Sequence, residues 1–187
     1  MSVYVKVISN EIRALDWEKT DEFIVGGDVK GKIFGDCKFA LNEITVQKTD
    51  SSSMITIHAS VNGKFLNSYW ADGLIVATPT GSTAYSLSCG GPIVMPDSDN
   101  FVITPVAPHN LNVRPIIVSS QDVITLEVEG RNPTFLLSLD SRSENIQSLK
   151  QLSIRKANFI IPLVKLENHD FLFTLRNKLS WGVDKRN

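Results

Sequence analysis

Cysteine is scarce here: Cys37 and Cys89 stand 52 positions apart in 187 residues, with no Cys-x-x-Cys or Cys/His pair beside either. That spacing excludes a disulfide scaffold and a zinc knuckle, and points to free thiols used as small core filler in a reducing cytosol. Histidine is equally thin, since His58, His109 and His169 are scattered without metal-ligand spacing. No apolar run approaches the roughly 20 residues that cross a bilayer. The opening "MSVYVKVISNEIR" lacks the charged-then-apolar build of a secretory signal. Neither sign of charge dominates: 19 Lys and Arg against 20 Asp and Glu leave a net charge of −1, without the basic footprint of a nucleic-acid binder. No G-x-S-x-G elbow and no Ser/His/Asp order supports covalent hydrolysis. The expectation is a cytoplasmic globular protein with neither nucleic acid nor membrane as partner.

What is present is mainly β. Hydrophobic residues make up 42% and charged ones 21%, an ordinary globular balance. The stretches "VYVKVI", "ALNEITVQ", "MITIHASV", "LIVAT", "FVITPV", "DVITLEVEG", "TFLLSLD" and "NFIIPLVKL" are short, rich in Val, Ile, Thr and Phe, and bounded by turn residues, so they read as strands. Their spacing suggests a multi-stranded, sandwich-like architecture. Three segments read as helical: "IRALDWEK", a short "TAYSLS", and "FLFTLRNKLSWG" with Phe171, Leu172, Leu175 and Leu179 on one face and Gly182 as its stop. Leu126, Val128, Leu137, Ile160, Ile161 and Leu163 are expected core positions. "VGGDVKGKIFGD" is a boundary or hairpin region.

Residues 72–92, "DGLIVATPTGSTAYSLSCGGP", break from an apolar strand into small and hydroxylated residues. Gly81 permits positive φ or close main-chain approach, and Ser82 or Thr83 can cap a helical turn, leaving N–H groups for an anion or nucleotide. A plain helix cap closed by Gly90-Gly91 explains the same letters. "GGDVKGKI" matches G-x-x-x-x-G-K, but Ile33 stands where a phosphate loop needs Ser or Thr, so it is read as a turn. In "ALNEITV" the adjacent Asn42 and Glu43 point to opposite faces, so one either faces inward and needs a partner or both lie on a wet edge. Asp72 before Gly73 is first a turn signal, and Asp140 is likewise a carboxylate at a strand end. His109, in the rigid "TPVAPHNLNVRP" loop, stands near Arg114, a possible anion contact; a loop imidazole bonding carbonyls is the alternative.

The succession "LNE", "YWADGLIVATPTGSTAYSLSCGGP", "TPVAPHNLNVRP", "LSLDSRS", "LRNKLSWG" resembles the carboxy-terminal domain of NAD kinases across roughly Gly31 to Gly182. The resemblance implies a β-rich, dinucleotide-binding domain over residues 31–187, with 1–30 unassigned and the family's N-terminal α/β domain missing. It implies contacts of Asn42 and Glu43 with the adenosine or ribose, and of Asp72 with a carboxamide or ring amine. Thr83, Ala84, Tyr85 and Ser88 would line the same pocket, with Ser86 and Leu87 in the intervening turn and Ala107 in the closing loop. The family's catalytic aspartate lies in "GGDG"; here "GGDV" puts Asp28 only 14 residues before Asn42, and Asp28 is not expected to be that residue. The implied activity is transfer of a phosphoryl group from ATP or polyphosphate, with a divalent metal such as Mg2+, to NAD, giving NADP. The implied assembly is a homodimer or homotetramer. The chain is then expected to be an excised or truncated domain, catalytically incomplete alone. The alternative is a non-catalytic NAD(P)-binding, regulatory or assembly domain derived from the kinase.

Overall fold

The computed structural model describes residues 5–6, 11–18, 34, 39–50, 53–147, 151–162, 165–166 and 170–180. Among the described residues fourteen strands and two α-helices follow in order: β1 (Val5–Lys6), β2 (Glu11–Glu18), β3 (Phe39–Ala40), β4 (Glu43–Lys48), β5 (Ile55–Val61), β6 (Lys64–Ala71), β7 (Gly73–Ala77), α1 (Tyr85–Ser88), β8 (Asn100–Val106), β9 (Ile116–Ser119), β10 (Ile124–Glu129), β11 (Thr134–Leu139), β12 (Arg142–Gln147), β13 (Leu152–Pro162), β14 (Lys165–Leu166) and α2 (Phe171–Leu179). Two six-stranded antiparallel sheets result, ordered β3-β2-β13-β10-β5-β6 and β12-β11-β4-β7-β8-β9, beside a small β1-β14 pair. The expected sandwich is present.

One core joins the sheets. Ile57, Ile124, Leu126 and Ile154 from the first sheet meet Ile44, Leu74, Phe101 and Leu137 from the second, all essentially solvent-free. The alternation of β10 and β11 produces this: every second residue turns inward, so Leu126, Val128 and Leu137 are buried as expected. Ile160 and Ile161 fall in β13, but their side chains, like Leu163, lie outside the described residues.

The "IRALDWEK" segment corrects the sequence reading. It is the strand β2, paired with β13 through Trp17↔Ile154 and Leu15↔Lys156. Its Ile and Leu sit at helical spacing, but the free edge of β13 supplies a ladder that outweighs a weak local preference. Strands β6, β9 and β12 were not legible either, although Asn62-Gly63 between β5 and β6 is a two-residue hairpin turn with both φ values positive, 50° and 72°. The helix α2 forms as expected, capped by the Asp170 carboxylate accepting from the Phe173 N–H. Its left-handed C-terminal residue is Ser180, and Gly182 lies outside the described residues.

Truncating Leu137, 1% exposed in β11, tests the shared core. Leu137→Ala should lower the free energy of unfolding in urea by about 2–5 kcal/mol. Ile117→Ala, at a half-exposed edge position, should change it by about 0.5 kcal/mol or less. Equal effects would contradict the inter-sheet packing.

Candidate functional site

Strand β7 is buried along its whole length, and its neighbour β8 is buried from Phe101 to Val106. Leu74 and Val76 enter the main core, while Ile75 and Ala77 pack on the other face with Val94, Val102 and Val106. Something must cover that second face, and the segment 78–95 does so. After Thr78 and Pro79 the chain forms a 3-10 turn over Thr80–Thr83, then the single turn α1, and Gly90, at φ 82°, ends it. Expected caps are absent: neither Ser82 nor Thr83 caps α1, whose N-cap is Ala84. The Ser82 hydroxyl donates to the Pro79 carbonyl at 2.6 Å and accepts from the Val94 N–H at 2.9 Å. Ser86, also fully buried, shares a 2.8 Å hydrogen bond with Thr104. Ser82 therefore ties the cover to itself, and Ser86 fastens it to β8.

Gly81 is needed for a different reason than ligand contact. A Cβ there would run into the main-chain carbonyl of Asn42. The same approach lets the Thr78 N–H donate to the Asn42 carbonyl at 2.8 Å and the Thr78 hydroxyl donate to the Leu41 carbonyl at 2.7 Å. Opposite, the Asp140 carboxylate accepts from the N–H groups of Leu41 (2.9 Å), Asn42 (2.7 Å) and Glu43 (3.2 Å). Glu43 then begins β4, where Glu43, Thr45 and Gln47 share the face opposite Ile44 and Val46. Of the two readings left open for the Asn-Glu pair, the partly inward one holds. Burial, and then the nearby Asp140 charge, push the Glu43 carboxyl up from 4.5 to about 7, and its Oε2 is buried without a hydrogen-bond partner among the described residues.

This row spans about 13 Å from Glu43 to Gln47, and its far end is also polar. Gln47 Nε2 donates to the Tyr85 hydroxyl at 2.9 Å. Lys48 Nζ lies 2.6 Å from Asp72 Oδ1. Asp72 occupies the bend between β6 and β7, where its N–H donates to the Val106 carbonyl, so Ala107, exposed with φ 43°, follows beside it. Burial raises the Tyr85 phenol and the neighbouring Cys89 thiol above their ordinary values. Tyr85 remains 38% exposed.

The expected contacts thus fall into groups. Asn42 and Glu43 stand at one end of the row, Asp72 and Ala107 at the other. Tyr85 borders the row, with Ala84 beside it in sequence and the exposed Ser88 one turn on. Thr83 bonds the Thr80 carbonyl. Ser86 turns inward, so only main chain at Ser86 is offered from that position, and Leu87 is half-buried. Outside the group, His109 donates its N–H to the Trp70 carbonyl and packs on the Trp70 ring at 4.4 Å, while the Arg114 guanidinium bonds the Leu111 and Val113 carbonyls of its own loop. Asp28, Cys37, His169 and the "GGDVKGKI" turn up to Ile33 lie outside the described residues. Sequence reasoning missed Gln47, Lys48 and Thr78; the alternation that puts Gln47 two places beyond Thr45 was the available signal. Among the described residues no three His, Cys, Asp or Glu side chains converge as a metal site. Nor does any described helix have the length and apolarity to cross a membrane.

Residues 41–166 match the family model described as the ATP-NAD kinase C-terminal domain. A NAD kinase of Cytophaga hutchinsonii is 60% identical over 156 residues, covering 83% of this chain and 53% of that protein. One from Bacteroides fragilis is 55% identical over 148 residues, covering 79% and 51%. Among solved structures, yeast NADH kinase complexed with NADH superimposes with a TM-score of 0.79 at 25% identity, over 93% of this chain and 49% of that one. A NAD kinase from Archaeoglobus fulgidus in complex with ATP gives 0.71 at 26% identity, over 91% and 59%. The chain spans about half the length of the relatives it matches.

The Glu43 carboxyl makes stability depend on pH. It ionises near 4.5 ordinarily and at about 7 in the fold, so folding takes up a proton between those values. Its favourable contribution is whole below about pH 4.5 and is lost as pH rises through 7. Glu43→Gln should therefore raise Tm at pH 8 and leave it nearly unchanged at pH 4.5. A Tm difference independent of pH would contradict the burial of this carboxyl.

Proposed function

The chain belongs to the NAD kinase family, and from that premise we propose that it is the surface on which the dinucleotide lies in a protein converting NAD to NADP. Asn42 and Glu43 take the adenosine or ribose, and Asp72 takes a carboxamide or ring amine. Thr83, Ala84, Tyr85 and Ser88 line the pocket between them, Ser86 and Leu87 contribute through their turn, and Ala107 closes it. The observation that carries this reading is the orphaned Glu43 Oε2 at the head of a polar row bordered by an accessible tyrosine. A buried acceptor without a donor costs free energy that a ligand N–H or O–H recovers. The reading draws further support from the two similar structures that hold NADH and ATP.

Phosphoryl transfer needs the acceptor hydroxyl held in line with the donor and charge stabilisation across the transferring group. The residues of this row supply the holding. Tyr85 offers a flat apolar face and, through Gln47, a fixed hydroxyl. Asp72 is tied to Lys48 until a ligand amine or amide competes for it. A divalent ion with ATP or polyphosphate would supply the donor and the charge stabilisation, held by residues beyond this row. The setting is a cytoplasmic one.

Calorimetric titration of residues 1–187 tests this directly. NAD or NADP should bind weakly, Asp72→Ala and Tyr85→Ala should each weaken binding with little loss of fold, and NADP formation from Mg-ATP or polyphosphate should be negligible. Robust NADP production abolished by Asp28→Ala, or no heat with either dinucleotide, would overturn the proposal.

A further inference from the structure

Leu41 and Asn42 form the bend before β4 and Glu43 opens that strand, and all the main-chain polar groups of the three are paired. Three N–H groups converge on one carboxylate, that of Asp140. The Leu41 carbonyl accepts from the Thr78 hydroxyl, the Asn42 carbonyl from the Thr78 N–H, and the Glu43 carbonyl from the Asp140 N–H at 3.0 Å. Two residues far away in the chain thus account for the hydrogen bonding of the whole stretch, where unpaired groups would be costly. Asp140 sits at φ 54° in the two-residue turn between β11 and β12, a left-handed conformation that aspartate tolerates. That turn bends its carboxylate back over β4. Ionised carboxylate is an acceptor only, and three donors already use most of its lone-pair sites, so Asp140 is spent on main chain. Thr78 is equally committed: fully buried, its hydroxyl donates to Leu41 and accepts the Gly81 N–H at 3.0 Å.

We propose that Asp140 and Thr78 are positioning residues, which clamp the Asn42–Glu43 main chain from opposite sides and so fix where those two side chains meet the ligand. The clamp rests on the dinucleotide-binding reading for its ligand, while the geometry of the clamp stands apart from it. Asp140 has a second effect through space. Its charge, added to burial, keeps the proton on Glu43 to higher pH, so that Glu43 can donate as well as accept near neutrality. A residue that merely filled space would do neither.

The experiment compares wild type, Asp140→Asn, Glu43→Gln and the double variant by NADP calorimetry, with the Glu43 carboxyl followed by carbon-13 NMR from pH 4 to 9 without ligand. Asp140→Asn should weaken NADP binding about tenfold or more, add little once Glu43 is Gln, and lower the Glu43 titration midpoint. Wild-type affinity in Asp140→Asn with an unmoved Glu43 midpoint, or a full additive loss in the double variant, overturns the clamp. Should Asp140→Asn not fold, Thr78→Ser and Thr78→Val are read by the same two measurements. Serine should behave as wild type and valine should lose affinity; identical behaviour overturns the clamp. A wild-type chain that binds no NADP sinks the dinucleotide reading alone, and the Glu43 midpoint in the variants then decides the clamp by itself.

Discussion

Gly81 lies so close to the main chain of Asn42 that no side chain fits between them. This contact makes the site. It brings a hydroxyl-rich cover, continuous in sequence with β7, onto the bend that starts β4, and it allows Thr78 to reach the Leu41 and Asn42 carbonyls. Without it the cover would ride higher over the sheet, Tyr85 would leave Gln47, and the polar row would lose one wall. The small residues of the segment thus serve the packing of chain on chain.

The second constraint is the burial of β7 on both faces. A sandwich sheet normally sends alternate residues to core and solvent, as β5, β10 and β11 do. In the second sheet the cover replaces solvent over β7 and β8, while the neighbouring β4 keeps Glu43, Thr45 and Gln47 on the same side. Dry and polar strips therefore lie side by side. Their boundary holds Tyr85, Gln47 and the Lys48–Asp72 pair, and a half-dry boundary raises Glu43 toward neutrality.

Much of this was legible in the letters. Strands with clean alternation, such as "DVITLEVEG" and "TFLLSLD", announced both the fold class and core residues Leu126 and Leu137. The segment 72–92 stood out for its small residues, and the Asn-Glu pair because adjacent strand residues point to opposite faces. What stayed hidden depends on partners distant in sequence. Residues 12–18 carry a helical spacing of Ile and Leu, and pairing with β13 and β3 makes them a strand. Ser82 and Ser86 look like ligand hydroxyls, yet Val94 and Thr104 hold them. Asp140 reads as a turn aspartate, and its use by Leu41, Asn42 and Glu43 rests on a register between β11 and β4 that no local pattern prints.

The most direct measurement is a crystal structure of the chain grown with NADP. The account predicts the nucleotide lying along the β4 row, with a donor placed against Glu43 Oε2 and the Tyr85 ring against the ligand. A nucleotide bound elsewhere on the sandwich, with Glu43 and Tyr85 as they stand without it, would contradict the account.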